Sequence, residues 1–449
     1  MIGGNLDILG YVFIALLGLL FFLREKYGRK KTETDLKNSI KKKQVEPYTL
    51  HPLIKTELCF GCAACVMECP EEGVMGLLSG KAILVKPNKC VGHGVCKDIC
   101  PNEAIELVIG TKNLPIEIPN LTPHFETNVD GLYIVGELGG MGLIRNAVKQ
   151  GMLAIEHAKA QLKSRNIDFV TDHDVVIVGA GPSGFSATLA CKKEELNYLC
   201  LEQEEFGGAI RHYPRQKIVM SFPLEFPIVG KMTFRKNIVE KEEILERWNQ
   251  VREKENLNIL ENHRFDSLEK KGNHFIIHTP NKSYTTKVAV IAMGVGGTPR
   301  KLGVEGENLE KISYRLIDAK NYTNQNIAVV GGGNSAAEAA ASLSQPELGN
   351  KVVLVCRKDN LNKCNETNID IASRKSKAGD LEIKYESIVE SIDEDTITLN
   401  CDGTIEKIEN HFIFVFAGSE KPFPFLRSLG VEIEKMYGTP LKEKSDVAV

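Results

Sequence analysis

Hydrophobic and polar positions change texture along the chain. Residues 8–23, ILGYVFIALLGLLFFL, form an uncharged apolar run. With Leu6 it has about the length of a helix that spans a thin bilayer. The polar stretch REKYGRKK follows at once. Positive charge on that flank predicts an N-out, C-in topology with the remaining domains on the cytoplasmic side. A cleaved signal peptide would carry its positive charge before the run and small residues at a cut site; here only Asp7 precedes it. Residues 1–23 are therefore expected to be a transmembrane anchor in the cytoplasmic (inner) membrane. Residues 24–47 are expected to be a basic linker facing solvent or lipid headgroups.

From residue 174 the pattern becomes short buried strands punctuated by glycine. DVVIVGAGPSG, residues 174–184, is an apolar strand running into Gly179-x-Gly181-x-x-Gly184, with a helical pattern from Phe185. The next strand, YLCLE, ends at Glu202, about 20 residues on, as a dinucleotide-binding unit requires. The glycines allow a tight turn and close approach of a pyrophosphate to a helix N-terminus, and Glu202 would accept from ribose hydroxyls. NIAVVGGGNSAAEAA, residues 326–340, repeats the device with Gly331, Gly333 and Ala336, and Asn334 and Ser335 open its helix. The strand after it, KVVLVC, ends in Arg357-Lys358 rather than an acid. Basic residues there accommodate the 2′-phosphate of NADP; ordinary surface charge at a strand end is the other reading.

Length leaves room for about three domains of roughly 150 residues. Net charge is −3, so no global bias points to nucleic acid. Of twelve cysteines, seven lie between Cys59 and Cys100; Cys191, Cys200, Cys356, Cys364 and Cys401 are scattered. Such clustering in a large chain indicates metal binding in a reducing compartment. CFGCAACVMECP, residues 59–70, is C-x2-C-x2-C-x3-C-P, and CVGHGVCKDICP, residues 90–101, keeps the frame with His93 in the second place. In two-cluster ferredoxins the fourth cysteine of each run ligates the other cluster. One [4Fe-4S] cluster would then use Cys59, Cys62, Cys65 and Cys100, and the second Cys69, Cys90 and Cys96. His93 either ligates the fourth iron of a second [4Fe-4S] cluster or is a spacer beside a [3Fe-4S] cluster. Its neighbours Gly92 and Gly94 leave the backbone free to present the ring. A zinc site needs only four ligands, and the paired Cys-Pro ends argue against it.

Two dinucleotide-binding folds in this order resemble the flavoprotein pyridine-nucleotide oxidoreductases, most closely the thioredoxin-reductase-like group, over roughly residues 171–435. The resemblance implies FAD on the first fold and NADPH on the second. VIAMG, ending at Gly294, and FVFAG, ending at Gly418, look like the crossovers between the two domains. FGGAIRHYP matches the family segment near the flavin, at Gly207-Gly208. The family's closing strand and helix do not follow residue 435. Residues 124–161, with Gly136-Glu137, look like that segment moved upstream. The flavoprotein is thus expected to be circularly permuted, which nearby surface termini tolerate; a free-standing helical linker is the alternative. By the resemblance, Glu137 would bond the ribityl chain, and the helix from near Met141 would aim its amides at the flavin. The scattered cysteines form no C-x-x-C or C-x4-C pair, so an internal disulfide relay is not expected. They are read as small core residues.

The expected fold class is α/β: two Rossmann-like domains with three-layer parallel sheets, a small α+β ferredoxin domain and an N-terminal transmembrane helix. The ferredoxin domain is assigned to 48–110 and the permuted closing segment to 111–170. The FAD domain takes 171–296, the NAD(P)H domain 297–416, and 417–449 returns to the FAD domain. The expected function is electron transfer between NADPH, FAD and two iron–sulfur clusters, to or from an unknown carrier: a ferredoxin-like protein, a membrane carrier or a small molecule. The cofactors carry the chemistry, so no catalytic side chain is assigned, and a homodimer is left open. The GGAIRHYPRQK stretch also resembles bacillithiol-disulfide-reductase-like flavoproteins. Reduction of a low-molecular-weight disulfide is therefore an alternative, and a redox sensor or docking protein with little turnover is another.

Overall fold

The computed structural model describes residues 3–41, 46–47, 49–140, 142–164, 170–215, 217–220, 224–234, 239–295, 299–361 and 363–440. The chain forms two compact units. One comprises the chain up to Leu114 with Gly438–Pro440, the other Pro115–Tyr437.

The first unit begins with a single helix, Gly3–Lys41. Residues 24–41 therefore continue the helix and are not the tether expected there. Their lysines, arginines and glutamates are good helix formers, and Arg29 pairs with Glu33 one turn on at 3.8 Å. The later turns dock on the rest of the unit: Asp35 pairs with Lys86 at 3.3 Å, and Ser39 is buried. Among the described residues no helix is long and apolar enough to cross a membrane, so the spanning helix expected at the N-terminus is not supported. Beyond residue 49, His51–Ile54 pairs antiparallel with Ile105–Ile109, whose other edge takes Thr439–Pro440. Met75–Leu78 and Lys81–Leu84 form a hairpin. A small core of Val74, Met75, Ala82 and Ile105 packs against the cysteine loops.

In the second unit, parallel strands run in the order Ile259–Leu260, Tyr198–Leu201, His173–Val178 and Ser283–Ile291. Leu132–Ile134 joins the same sheet, parallel to the end of Ser283–Ile291, and His274–His278 and Ser267–Lys271 extend it antiparallel. The central parallel strands His173–Val178, Tyr198–Leu201 and Leu132–Ile134 read as largely apolar runs because helices cover the faces of a parallel sheet. Helix Pro182–Lys193 is buried from Ser183 to Cys191, and Ile144–Ser164 packs along it. Phe185, Phe206, Phe226 and Trp248 form an aromatic cluster with Phe185 at its centre, its ring 5.1–5.3 Å from the other three. A second parallel sheet orders Ile312–Ser313, Phe412–Val415, Asn326–Val330, Lys351–Val355 and Leu381–Lys384. A three-stranded antiparallel sheet, Ser387–Glu409, completes the unit.

Candidate functional site

The two cysteine loops of the first unit adopt one backbone conformation. Gly61 and Gly92 occupy equivalent places with φ of 75° and 82°, and Ala63 and Gly94 follow with 66° and 81°. Each of the latter opens a four-residue helix, Ala64–Met67 and Val95–Asp98. The left-handed region costs a non-glycine residue roughly 1–2 kcal/mol, yet Ala63 adopts it as Gly94 does. His93 is thus presented by the same turn that presents Cys62.

Two separate cavities lie against these loops. One is lined by Cys59, Cys62, Cys65 and Cys100. The other is lined by Cys69, Cys90, Cys96 and His93. The fourth cysteine of each run therefore faces the cavity of the other run. Burial pushes the Cys65 thiol up to about 11, helped by the charges of Cys59, Cys62 and Cys100. Burial likewise raises Cys96 to about 12, with Cys90 and Cys69 adding to it. Bound iron would reverse this, because a coordinating thiol is deprotonated outright. Ala82 and Ala104 donate backbone N–H groups to Cys59 and Cys100 Sγ at 3.4 and 3.3 Å. Hydrogen bonds to the sulfurs are one determinant of cluster potential. Among the described residues no three such ligands converge on a single metal-ion position; a cluster spreads its ligands over separate irons. The donor set and the two cavities fit two clusters: Cys59, Cys62, Cys65 and Cys100 would hold one, and Cys69, Cys90 and Cys96, with His93 beside them, would hold the other.

In the second unit, Gly179, Gly181 and Gly184 form the turn into helix Pro182–Lys193. A Cβ on Gly184 would stand 1.8 Å from the Gly179 carbonyl oxygen, so only glycine lets the helix start this close to the strand. Gly207 and Gly208 close on the same turn: a Cβ on Gly208 would stand 2.7 Å from Gly181 Cα. Glu202 is buried, and its carboxylate accepts from the Ala180 and Glu204 amides at 2.7 and 3.1 Å. Burial pushes its pKa up against those bonds. Glu261 accepts from the Phe206 amide at 2.7 Å and pairs with Arg252 at 2.8 Å, holding the start of the Gly207-Gly208 segment.

The upstream segment reaches the same place. A Cβ on Gly136 would stand 2.7 Å from Ser183 Oγ. The Gly136 amide donates to Gln150 Oε1 at 2.7 Å, while Gln150 Nε2 is buried with no hydrogen-bond partner among the described residues. Glu137 is accessible to solvent, yet crowding protein atoms push its carboxyl up, and Lys421 and the Val295 amide pull it back. Met141 lies outside the described residues. A glycine turn, a helix N-terminus and an unpartnered amide beside Gly136 fit a flavin dinucleotide. Gly136, Glu137, Gly179, Gly181, Gly184, Glu202, Gly207 and Gly208 would hold it.

The second glycine turn has Gly331 and Gly333, and helix Asn334–Leu343 starts from Gly333. Asn334 Oδ1 accepts from the Asn365 amide at 2.8 Å and from Asn368 Nδ2 at 3.0 Å, while Ser335 is exposed. Arg357 and Lys358 are exposed at the end of the next strand. Sequence reasoning missed two further cations. Lys363, bridged by its backbone to Gly333, has its pKa lowered by burial and then by Lys358, Arg357 and Arg300. The four side chains therefore share one neighbourhood, suited to a phosphate. Arg300 lies 57 residues before Arg357 in the chain, and no local motif connects the two. Cys191, Cys200, Cys356 and Cys364 are buried, and all the cysteines are free.

Residues 176–447 match the family described as pyridine nucleotide-disulphide oxidoreductase. Residues 51–101 match a 4Fe-4S dicluster domain. The chain is 27% identical over 269 residues to the bacilliredoxin reductase Bdr of Bacillus subtilis (strain 168), covering 59% of this chain and 82% of that protein. It is 33% identical over 188 residues to a ferredoxin–NADP reductase of Acholeplasma laidlawii, 41% of this chain and 55% of that protein. Among solved structures, the bacillithiol disulfide reductase Bdr of Staphylococcus aureus shares the fold, with a TM-score of 0.55 at 23% identity over 61% of this chain and 86% of that one. The tandem glycine turns and the paired cysteine loops thus have their counterparts in known proteins, and the chain belongs to the pyridine nucleotide-disulphide oxidoreductase family, as a flavin and iron–sulfur oxidoreductase carrying a ferredoxin-like domain.

Proposed function

We propose that this protein moves electrons between NADPH and a one-electron carrier by way of FAD and two iron–sulfur clusters. The observation that carries the reading is the partition of eight ligand positions into two cavities, in a chain that also holds two dinucleotide turns. FAD, when bound, supplies the exchange between a two-electron hydride and single electrons. The protein's residues position the cofactors: Gly136 and Gly208 close on the first turn, and Arg357, Lys358, Lys363 and Arg300 take the 2′-phosphate of NADPH. His93 completes the ligand set of the second cluster. Similarity to ferredoxin–NADP reductases supports a carrier of this class. Anaerobic purification with iron, sulfide and flavin analysis tests it: about eight irons per FAD are expected, or about seven with a three-iron cluster. Iron near background would overturn the reading.

We also propose that the N-terminal helix attaches the protein to a membrane through its exposed apolar residues, with the catalytic domains on the cytoplasmic side. Phe13, Leu16, Leu19, Leu20 and Leu23 are all exposed on it, and exposed apolar surface of this kind calls for a partner or a bilayer. A second reading, reduction of a low-molecular-weight disulfide, is favoured by the similarity to bacilliredoxin reductase. Under that reading NADPH reduces the flavin and leaves the clusters untouched.

A further inference from the structure

We propose that electrons enter or leave the protein at the Cys62 cluster, through an apolar face that docks a redox protein with a basic collar. The inference rests on the reading that electrons reach the clusters. The two cluster loops share a backbone but not a covering. The second is roofed: Thr49 Oγ1 donates to the Cys90 carbonyl at 2.7 Å, and a Cβ on Gly92 would stand 2.8 Å from the Leu50 carbonyl oxygen. His93, Cys90 and Cys96 are only partly accessible. Cys62, the equivalent of His93, is exposed.

Around Cys62 the surface is apolar. Phe60, two residues before it on the same cavity wall, is 64% exposed. Leu58 and Ile99 flank Cys59 and Cys100 and are exposed as well. Leu58 is joined to the cavity wall through its carbonyl, which accepts from Asn102 Nδ2. An exposed apolar group beside a redox centre is the anatomy of a docking face, an apolar core with a polar rim. The rim here is acidic. Glu57, Asp98 and Glu103 are exposed, and each is adjacent in sequence to Leu58, Ile99 or Asn102. Of the nearby lysines, Lys55 is paired with Glu106, and Lys81 and Lys97 are less exposed than the three acids. Charge complementarity selects a partner whose apolar redox edge is ringed by lysine or arginine.

Ferric cytochrome c, which has such a collar, is the probe. Each molecule takes one electron, so one NADPH reduces two and leaves NADP⁺ and one proton. The experiment measures equilibrium binding of ferric cytochrome c to the intact holoprotein at low and high salt, alongside anaerobic bleaching of the clusters by NADPH. Variants are Phe60→Ala and the double reversal Glu57→Lys with Glu103→Lys. Wild type should bind at low salt and release at high salt. The double reversal should weaken binding at low salt by about tenfold or more, and Phe60→Ala should weaken it at low salt as well, with NADPH bleaching unchanged in the double reversal. If bleaching proceeds but binding ignores salt and all three substitutions, the port is elsewhere and the inference falls alone. If NADPH does not bleach the wild-type clusters, the underlying electron-transfer reading falls, and the port falls with it.

Discussion

Gly151 lies flush against Ser183. A Cβ on Gly151 would stand 2.1 Å from the Ser183 carbonyl oxygen and 2.9 Å from the Ala187 amide nitrogen. Ser186 Oγ, one turn along, donates to the Val148 carbonyl at 2.6 Å. These contacts seat helix Ile144–Ser164 on the helix that leaves the first glycine turn, and they carry Gly136 and Glu137 with it. Gly151→Val should therefore destabilise this unit by about 1–3 kcal/mol or more, since neither backbone can give way. Flavin should be lost together with stability, read by thermal unfolding and by flavin absorbance. A chain beginning at Asp172 should likewise lose FAD; stoichiometric FAD in it would refute the role given to residues 124–161.

The basic group around Lys363 predicts coenzyme preference. Arg357→Ala should raise the KM for NADPH about tenfold, an effect of about 1.4 kcal/mol, and leave NADH unchanged. Lys363→Ala should act in the same direction. Steady-state kinetics with both coenzymes decide it: equal losses with NADH would return these residues to plain surface charge.

Glu261 predicts a pH dependence. Its hydrogen bond from Arg252 holds the carboxyl below its ordinary value of 4.5, with further help from the Phe206 amide. A carboxylate depressed in the folded state contributes stability above its unfolded pKa and loses it as pH falls through the folded value. Glu261→Gln should thus be less stable than wild type at neutral pH, and the difference should shrink below about pH 4.5. Thermal unfolding of both proteins at neutral and acid pH checks it. A constant difference would mean that the charge plays no part.

His93 predicts a step in potential. A neutral imidazole in place of a thiolate leaves a cluster less negative and raises its potential. His93→Cys should lower one midpoint in an EPR-monitored titration, and His93→Ala should lose iron or give a three-iron signal. A three-iron signal already present in the anaerobic native protein, unchanged by His93→Ala, would make the histidine a spacer.

Most of the site was legible because it is local. The glycine turns, Glu202, and the cysteine frames with His93 each lie within one strand–turn–helix or one loop, where spacing constrains geometry. The place of residues 132–134 beside Ser283–Ile291 was readable only through the family resemblance, since nothing in the three apolar residues specifies which sheet they join. Arg300 was not legible, because tertiary folding alone brings it near Lys363 and Arg357, and Lys363 lies beyond the strand end where the coenzyme-selecting residues are sought. The stretch 24–41 was misjudged for a different reason. Its polar, lysine-rich composition reads as linker, yet those residues favour helix, and Asp35 docks it through Lys86.

The N-terminal helix predicts a change in partitioning. Deleting residues 1–30 should release the protein from membranes with its flavin and iron content intact. An intact chain that stays in the soluble fraction at high salt would contradict the anchor.

The central claim is that electrons from NADPH reach the clusters. Anaerobic stopped-flow mixing of the holoprotein with NADPH tests it most directly, following flavin and iron–sulfur absorbance separately. The account predicts flavin reduction first, then cluster bleaching at a rate that depends on the flavin phase. Reduced flavin standing beside clusters that stay oxidised, with turnover supported only by a small disulfide, would contradict it.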